Sequence, residues 1–137
     1  MNSQLHAYKK NQINTASSEN LVLMLYDGAV KFINRAIKSM NERNIQEANN
    51  NLVHAQKIVL QLMSGINFEA GEIAKGLSVL YEYMHHRLVQ ANMEKETQYA
   101  EEVLTMIDEL RAAWVQVMKN GYSKDEKNIN IKKLRIS

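Results

Sequence analysis

The amino-acid sequence predicts an all-α fold, an antiparallel up-down four-helix bundle with an N-terminal arm and a flexible basic C-terminal tail. The chain has no proline and only 5 glycines in 137 residues, so little in it interrupts long helices. Apolar residues recur at intervals of three and four through four segments of roughly twenty residues each. Short polar stretches separate these segments, and short connections make successive helices antiparallel.

A chain of 137 residues has the length of one domain and can bury a core of its own. Cysteine is absent, which excludes a disulfide framework and a thiolate metal site. The first twelve residues lack the apolar stretch of a signal peptide, and no apolar run approaches the roughly 18 residues of a membrane span. We therefore expect no insertion into a membrane, and a cytoplasmic location is compatible with these observations.

Three regions are expected along the chain: an arm at residues 1–16, a helical bundle domain at 17–120 and a tail at 121–137. Residues 119–137 carry six basic and two acidic side chains, a net charge of +4, whereas the whole chain carries +2. The remainder therefore stands at −2, and a mildly acidic body is a poor nucleic-acid surface. The tail has too few apolar residues to form a core and is expected to be flexible.

Residues 15–40 form the segment around which the domain is organised. Ser17 can cap a helix by accepting a backbone N–H, and Glu19 suits the positive end of the helix dipole. The apolar stripe expected to face the core consists of Val22, Leu25, Tyr26, Ala29, Ile33, Ala36, Ile37 and Met40, widened at its edges by Leu21, Val30 and Phe32. The widened stripe covers about half of the helix circumference, so this helix is expected to serve both a core and a partner.

The second helix is expected to start after Asn44, whose side chain can form a capping box with Glu47. Its core stripe consists of Ile45, Ala48, Leu52, Ala55, Val59, Leu62 and Met63. Val53 and Leu60 lie seven residues apart and project roughly 100–120° from the centre of that stripe. They are therefore candidates for a surface outside the core.

The third helix is expected at about residues 72–93 and the fourth from near Thr97 to a stop at Gly121. The inward residues of the third helix are Ile73, Leu77, Leu80, Met84, Leu88 and Ala91. Those of the fourth are Ala100, Val103, Ile107, Leu110, Trp114 and Met118. A second line on the third helix, formed by Gly76, Val79, Tyr83, His86 and Gln90, keeps helical spacing outside the core.

Apolar surface beyond what the core uses is the most informative feature of these helices. Single exposed apolar residues are common on monomeric proteins, which is a sufficient explanation for each stripe taken alone. Three helices of one small domain share the feature, however, and this favours grooves for amphipathic segments of another chain.

Residue patterns for metal binding and catalysis are weak. Glu82-x-x-His85 is the one pair with the spacing of a di-iron bundle, and Glu82 projects away from the core of its helix. Asp27 is expected to pair with Lys31 across one helical turn, and no glycine-rich phosphate loop is present. We therefore predict no catalytic residues, no cofactor, no metal site and no enzyme activity.

Four short segments follow one another in a specific order: Thr15-Ala16-Ser17, then 21–28 (LVLMLYDG), 80–84 (LYEYM) and 110–114 (LRAAW). In this order they resemble the flagellar secretion chaperone family FliS, and the resemblance extends over about residues 8–118. Ser18 and Asn20 stand where the family usually has Pro and Gln. Both departures affect only the first turn of the first helix.

The resemblance implies a cytoplasmic export chaperone that binds the disordered C-terminal segment of flagellin and prevents its premature polymerisation. Such proteins deliver flagellin to the flagellar type III secretion apparatus, whose export gate is a further candidate partner. The family's N-terminal arm can cover part of the binding surface, and Tyr8 and Ile13 match its apolar positions. The expected flagellin-binding residues are Tyr8, Ile13, Leu21, Leu25, Phe32, Val53, Leu60, Val79, Tyr83 and His86.

Two other classes of function remain open. A homo-oligomeric structural bundle, such as a homodimer, would use the same apolar stripes on a second copy of itself. A regulator would bind RNA or an acidic partner through residues 119–137, with a steep dependence on salt, whereas groove binding tolerates salt. Light scattering with and without a flagellin C-terminal peptide, repeated at several salt concentrations, separates these alternatives.

Overall fold

The computed structural model describes residues 18–66 and 71–120, and within these ranges it contains four α-helices and no strand. In chain order the helices are α1 (Ser18–Asn41), α2 (Ile45–Ser64), α3 (Glu72–Glu94) and α4 (Thr97–Lys119). The predicted all-α class is therefore confirmed. The expected arm, the Ser17 cap and the expected tail lie outside the described residues, so the division of the chain into three regions stays a prediction.

The four helices form a closed ring in which α1 and α3 each pack against both α2 and α4. Gly28 and Phe32 of α1 lie opposite Ile58 and His54 of α2, so residue numbers rise along one helix as they fall along the other. The same reversal holds for Asn49 with Asn92, Gln56 with Leu88, Asp27 with Arg111 and Glu19 with Trp114. The bundle is therefore antiparallel and up-down, as predicted.

The connections explain this topology. Asn44 caps α2 by accepting a hydrogen bond from the backbone N–H of Glu47 at 3.2 Å, which confirms the predicted cap. Lys95 closes α3 with a left-handed backbone (φ 55°) and donates its N–H to the Ala91 carbonyl at 2.8 Å. Turns this short leave the next helix no room except to fold back beside the previous one.

A single core fills the centre of the ring. Its largest fully buried side chains are Tyr26, Ile33, Leu52, Met84, Leu88, Ile107, Val59, Val103 and Val117. Most of these belong to the predicted stripes. Ile45 was wrongly assigned to the core: it is 64% exposed because it is the first residue of α2, beside the exposed turn. Trp114 and Met118 are only half-buried, and Val117 lies in the core at their end of α4.

One hydrogen bond crosses the middle of the bundle between the diagonally placed α1 and α3. The hydroxyl oxygens of Tyr26 and Tyr81 lie 2.6 Å apart, and the two residues are 1% and 3% exposed. Burial raises the pKa of Tyr26 to about 12 and also raises the pKa of Tyr81, because a buried phenolate loses its hydration. The predicted stripe of the third helix omitted Tyr81.

Candidate binding surface

The seam between α1 and α2 carries three of the predicted binding residues. Leu21, Leu25 and Phe32 are half-buried there, at positions i, i+4 and i+11 of α1. The Phe32 ring stacks on the His54 ring of α2 with centroids 4.8 Å apart and 20° between the planes. Phe32 is therefore held in place by a contact across the seam, with part of its ring accessible.

A concave pocket of about 460 Å³ opens beside this aromatic pair. Phe32 and Arg35 line it from α1, and its other walls come from α2, including Val53 and Lys57. The pocket thus brings together Phe32 and Val53, two residues that the sequence assigned to different stripes. Its lining is mostly polar, which the apolar periodicity could not reveal.

Val53 and Leu60 lie seven residues apart on α2. The residues flanking Val53 by one helical turn both reach α3: Asn49 accepts a hydrogen bond from the Asn92 amide at 2.8 Å, and the Gln56 amide donates to the Leu88 carbonyl at 3.5 Å. Val53 itself is half-buried and lines the pocket with Phe32 and Arg35 of α1. Leu60, one turn beyond Gln56, is 46% exposed.

Val79 and His86 are exposed, seven residues apart on α3. Val79 is 65% exposed, which is the level expected of a polar surface residue. A valine with this exposure is not part of the core of the described bundle. Its two methyl groups are available to a partner.

Tyr83 differs from its neighbours on α3 because its hydroxyl is already used. The hydroxyl donates to the Glu102 carboxylate of α4, 2.9 and 3.0 Å from its two oxygens, and accepts from Arg87 Nε at 3.0 Å. The Arg87 guanidinium lies 5.5 Å from the Tyr83 ring centre and 4.9 Å from that of Tyr99. Hydrogen bonding to Glu102 raises the pKa of Arg87. This polar network places Tyr83 at the seam between α3 and α4.

The predicted residues thus lie on several connected surfaces and not in one groove. Leu60, Val79, Tyr83 and His86 are exposed, whereas Leu21, Leu25, Phe32 and Val53 are half-buried. Tyr8 and Ile13 fall outside the described residues. Three further exposed apolar residues, Met24, Ile45 and Met93, are not among the predicted binding residues. Departure from the core stripe, which identified Leu60, would also have identified Met24 and Met93.

Residues of the recognisable sequence segments contact one another across the bundle. Asp27 pairs with Arg111 of α4, and this corrects the expected pairing with Lys31. The Asp27 carboxylate raises the pKa of Arg111 through this hydrogen bond. The Trp114 indole donates to the Glu19 carbonyl at 2.9 Å. The segments 21–28 and 110–114 are thereby joined, as the tyrosine pair joins 21–28 to 80–84.

Within residues 18–66 and 71–120, no group of three or more His, Cys, Asp or Glu side chains is placed to hold a metal ion. None of the helices described is both long enough and apolar enough to cross a membrane.

Comparison with known proteins identifies the family. The sequence profile described as "Flagellar protein FliS" matches residues 1–121. A "Flagellar secretion chaperone FliS" of Bacillus subtilis (strain 168) is 36% identical over 114 residues, which cover 83% of this chain and 85% of that protein. The Vibrio cholerae serotype O1 protein of the same name is 34% identical over 122 residues, 85% of this chain and 90% of its own length. The chain belongs to the FliS family of flagellar secretion chaperones.

Proposed function

We propose that this protein is a cytoplasmic export chaperone for flagellin. It binds the disordered C-terminal segment of flagellin, prevents premature polymerisation and delivers the subunit to the export gate of the flagellar type III secretion apparatus. The names of the relatives support the chaperone role, and the resemblance in the sequence supports flagellin as the client. The apolar residues outside the core supply the binding surface.

The observation that carries the proposal is the exposure of Leu60 and Val79 on a bundle whose core is complete without them. The core stripes of α1 to α4 meet in one cluster of fully buried side chains, which includes neither residue. A leucine or valine side chain contributes roughly 1.5–3 kcal/mol when it is fully buried. A disordered segment must recover its ordering cost on binding, and several such contacts along its length can do this.

A segment that wraps the bundle fits this surface better than a compact ligand does. Phe32 lies at the seam of α1 and α2, Leu60 is exposed on α2, and Tyr83 lies at the seam of α3 and α4. Sites spread over three helices require a ligand that is extended or consists of several short helices. A disordered polypeptide segment meets this requirement.

The central experiment measures the affinity of the flagellin C-terminal segment by isothermal titration calorimetry. Leu60→Asp should weaken binding at least about tenfold, because an apolar contact is lost and a carboxylate would be desolvated. Ile45→Asp is the matched control, since Ile45 is also an exposed apolar residue of α2 but lies outside the proposed surface. Thermal unfolding of both variants should match that of the unmodified protein.

Equal weakening by Leu60→Asp and Ile45→Asp would contradict the assignment of the surface. If the unmodified protein does not bind the segment at all, the assignment of flagellin as the client is contradicted. A polymerisation assay adds the functional readout: the chaperone should delay light scattering by flagellin at equimolar ratio. Light scattering of the protein alone tests whether a second copy uses the same surface.

The N-terminal arm is proposed to compete with flagellin for Leu21, Leu25 and Phe32, through Tyr8 and Ile13. These three residues of α1 are only half-buried in the described bundle, so part of their surface is available to the arm. Deleting residues 1–14 should therefore strengthen flagellin binding without changing the helical circular dichroism signal. Unchanged affinity in a folded deletion variant would refute the competition.

A further inference from the structure

The pocket beside Phe32 is lined by charged side chains as well as by apolar ones. Arg35 and Lys57 line it from α1 and α2, and both side chains are exposed. Lys31 is a further cation close to Phe32, with its ammonium 5.6 Å from the centre of the Phe32 ring. Glu47 is the acidic residue among those that line the pocket.

These cations form no ion pair with the acidic side chains of the described residues. The ion pairs found within residues 18–66 and 71–120 are Arg87 with Glu102 and Asp27 with Arg111. Neither Arg35 nor Lys57 takes part in them. The Arg35 guanidinium instead lies 5.8 Å from the centre of the Phe32 ring, which holds it at the apolar wall of the pocket.

The composition of the pocket indicates an acidic protein segment as the ligand. An apolar side chain can pack on Phe32 and Val53, while a carboxylate beside it can reach Arg35 or Lys57. The exposed Asn50 side chain offers both a donor and an acceptor, which suit a peptide backbone, whereas Asn49 already accepts from Asn92 and Asn51 donates to the Glu47 carbonyl. Apart from residues 119–137 the chain stands at −2, and this disfavours a nucleic acid.

We propose that this pocket binds an acidic side chain of the client segment, together with an apolar residue next to it. The proposal rests on the proposed function, because the flagellin segment that crosses α1 and α2 supplies the carboxylate. Phe32 and Val53 then pack against the apolar residue of the segment. The neighbouring cations bind its carboxylate and so fix the register of the segment in the pocket. The pocket selects among apolar segments by their charge.

The test compares the charge-reversed variants Arg35→Glu and Lys57→Glu in calorimetric titrations with the flagellin C-terminal segment. Each reversal should weaken binding about tenfold at low salt, because an attraction becomes a repulsion. Most of this difference should disappear at about 0.5 M salt, where charges are screened over a few ångströms. Lys75→Glu, an exposed reversal on α3 away from the pocket, is the matched control and should leave the affinity unchanged.

A second arm changes the client. A flagellin segment whose Asp and Glu residues are replaced by Asn and Gln should bind the unmodified protein about tenfold more weakly and should no longer distinguish Arg35→Glu from it. Lys57→Glu provides a second variant in case Arg35→Glu disturbs the Phe32 ring, because the cations that lie over that ring are Lys31 and Arg35. Urea unfolding of both variants confirms that the bundle is intact.

The outcomes separate the two proposals. If the unmodified protein does not bind the segment, the proposed function fails and the pocket assignment fails with it. If the segment binds but Arg35→Glu and Lys57→Glu bind it equally well, the pocket assignment alone is overturned. Equal weakening by Lys75→Glu overturns it too, because the attraction would then be unspecific. Competition by a single-stranded RNA oligonucleotide that depends on Arg35 would also overturn it, in favour of a phosphate ligand.

Discussion

The hydrogen bond between Tyr26 and Tyr81 offers a sharp test of how the core is specified. Tyr81→Phe removes one hydroxyl and leaves the Tyr26 hydroxyl buried without its partner, 2.6 Å from where the other oxygen was. An unsatisfied buried hydroxyl costs about 1–3 kcal/mol, so each single variant should lose about that amount of unfolding free energy. The double variant removes both hydroxyls and should be much closer to the unmodified protein than the sum of the two losses.

The assay is urea unfolding followed by the fluorescence of Trp114, the single tryptophan of the chain, and by circular dichroism. Tyr99→Phe is the matched control, because the Tyr99 hydroxyl donates to the Glu94 carboxylate at 3.2 Å in an exposed position. It should change the unfolding free energy little. Strictly additive losses in the double variant would refute the reasoning, since they would show that the two hydroxyls do not depend on each other.

The same pair predicts the response to alkaline pH. Both tyrosines have a raised pKa in the folded protein, to about 12 for Tyr26 against an ordinary 10.0, so the folded state holds its protons longer than the unfolded state. The contribution of the two tyrosines to the free energy of unfolding is therefore fully present below about pH 10. Above that pH it falls by roughly 1.4 kcal/mol per pH unit for each tyrosine. The double phenylalanine variant should lose stability less steeply between pH 10 and 12.

Three further predictions follow from the helix contacts. Gly28→Ala should raise the free energy of unfolding by about 0.5 kcal/mol in urea, because alanine favours a helix more than glycine does. The terminal carbon of Ile58 lies 3.2 Å from the new Cβ and must move slightly, which costs less than the helix gains in stability. A loss of stability above about 1 kcal/mol would contradict this. Asp27→Ala and Arg111→Ala should leave the unfolding midpoint nearly unchanged because their ion pair is exposed, and a large shift would show that the pair is structural. Trp114→Phe should speed hydrogen exchange of the Leu23 amide, whose helical acceptor is the Glu19 carbonyl, because the indole then no longer ties that carbonyl to α4; unchanged exchange there would contradict this role.

Helical periodicity predicted most of the fold because it reports the local geometry of each helix. The Asn44 cap and the start of α4 at Thr97 follow from local chemistry and were correct. The prediction that Ile45 is buried was wrong because periodicity takes no account of where a helix begins. Ile45 is the first residue of α2 and projects beyond the packed region. The predicted stripe omitted Tyr81 although it is spaced by one helical turn from Leu77 and Met84, whereas its hydrogen bond to Tyr26, 55 residues earlier in the chain, is not encoded by any local pattern.

The candidate site was predictable only in part. Leu60 and Val79 are exposed as the stripe analysis required, since exposure follows from their angle to the core stripe. Tyr83 shares their spacing, but its hydroxyl is engaged by Glu102 of another helix, and no local pattern encodes such a partner. The pocket between α1 and α2 likewise depends on which side chains meet across the seam.

The central claim is that apolar residues outside the core bind the client. Methyl nuclear magnetic resonance tests it most directly, in a titration of the isotope-labelled protein with the flagellin C-terminal segment. The methyl signals of Val53, Leu60 and Val79 should shift and saturate at one equivalent, while those of the buried Val59 and Leu88 change little. Saturable binding that leaves the Leu60 and Val79 signals in place would contradict the account.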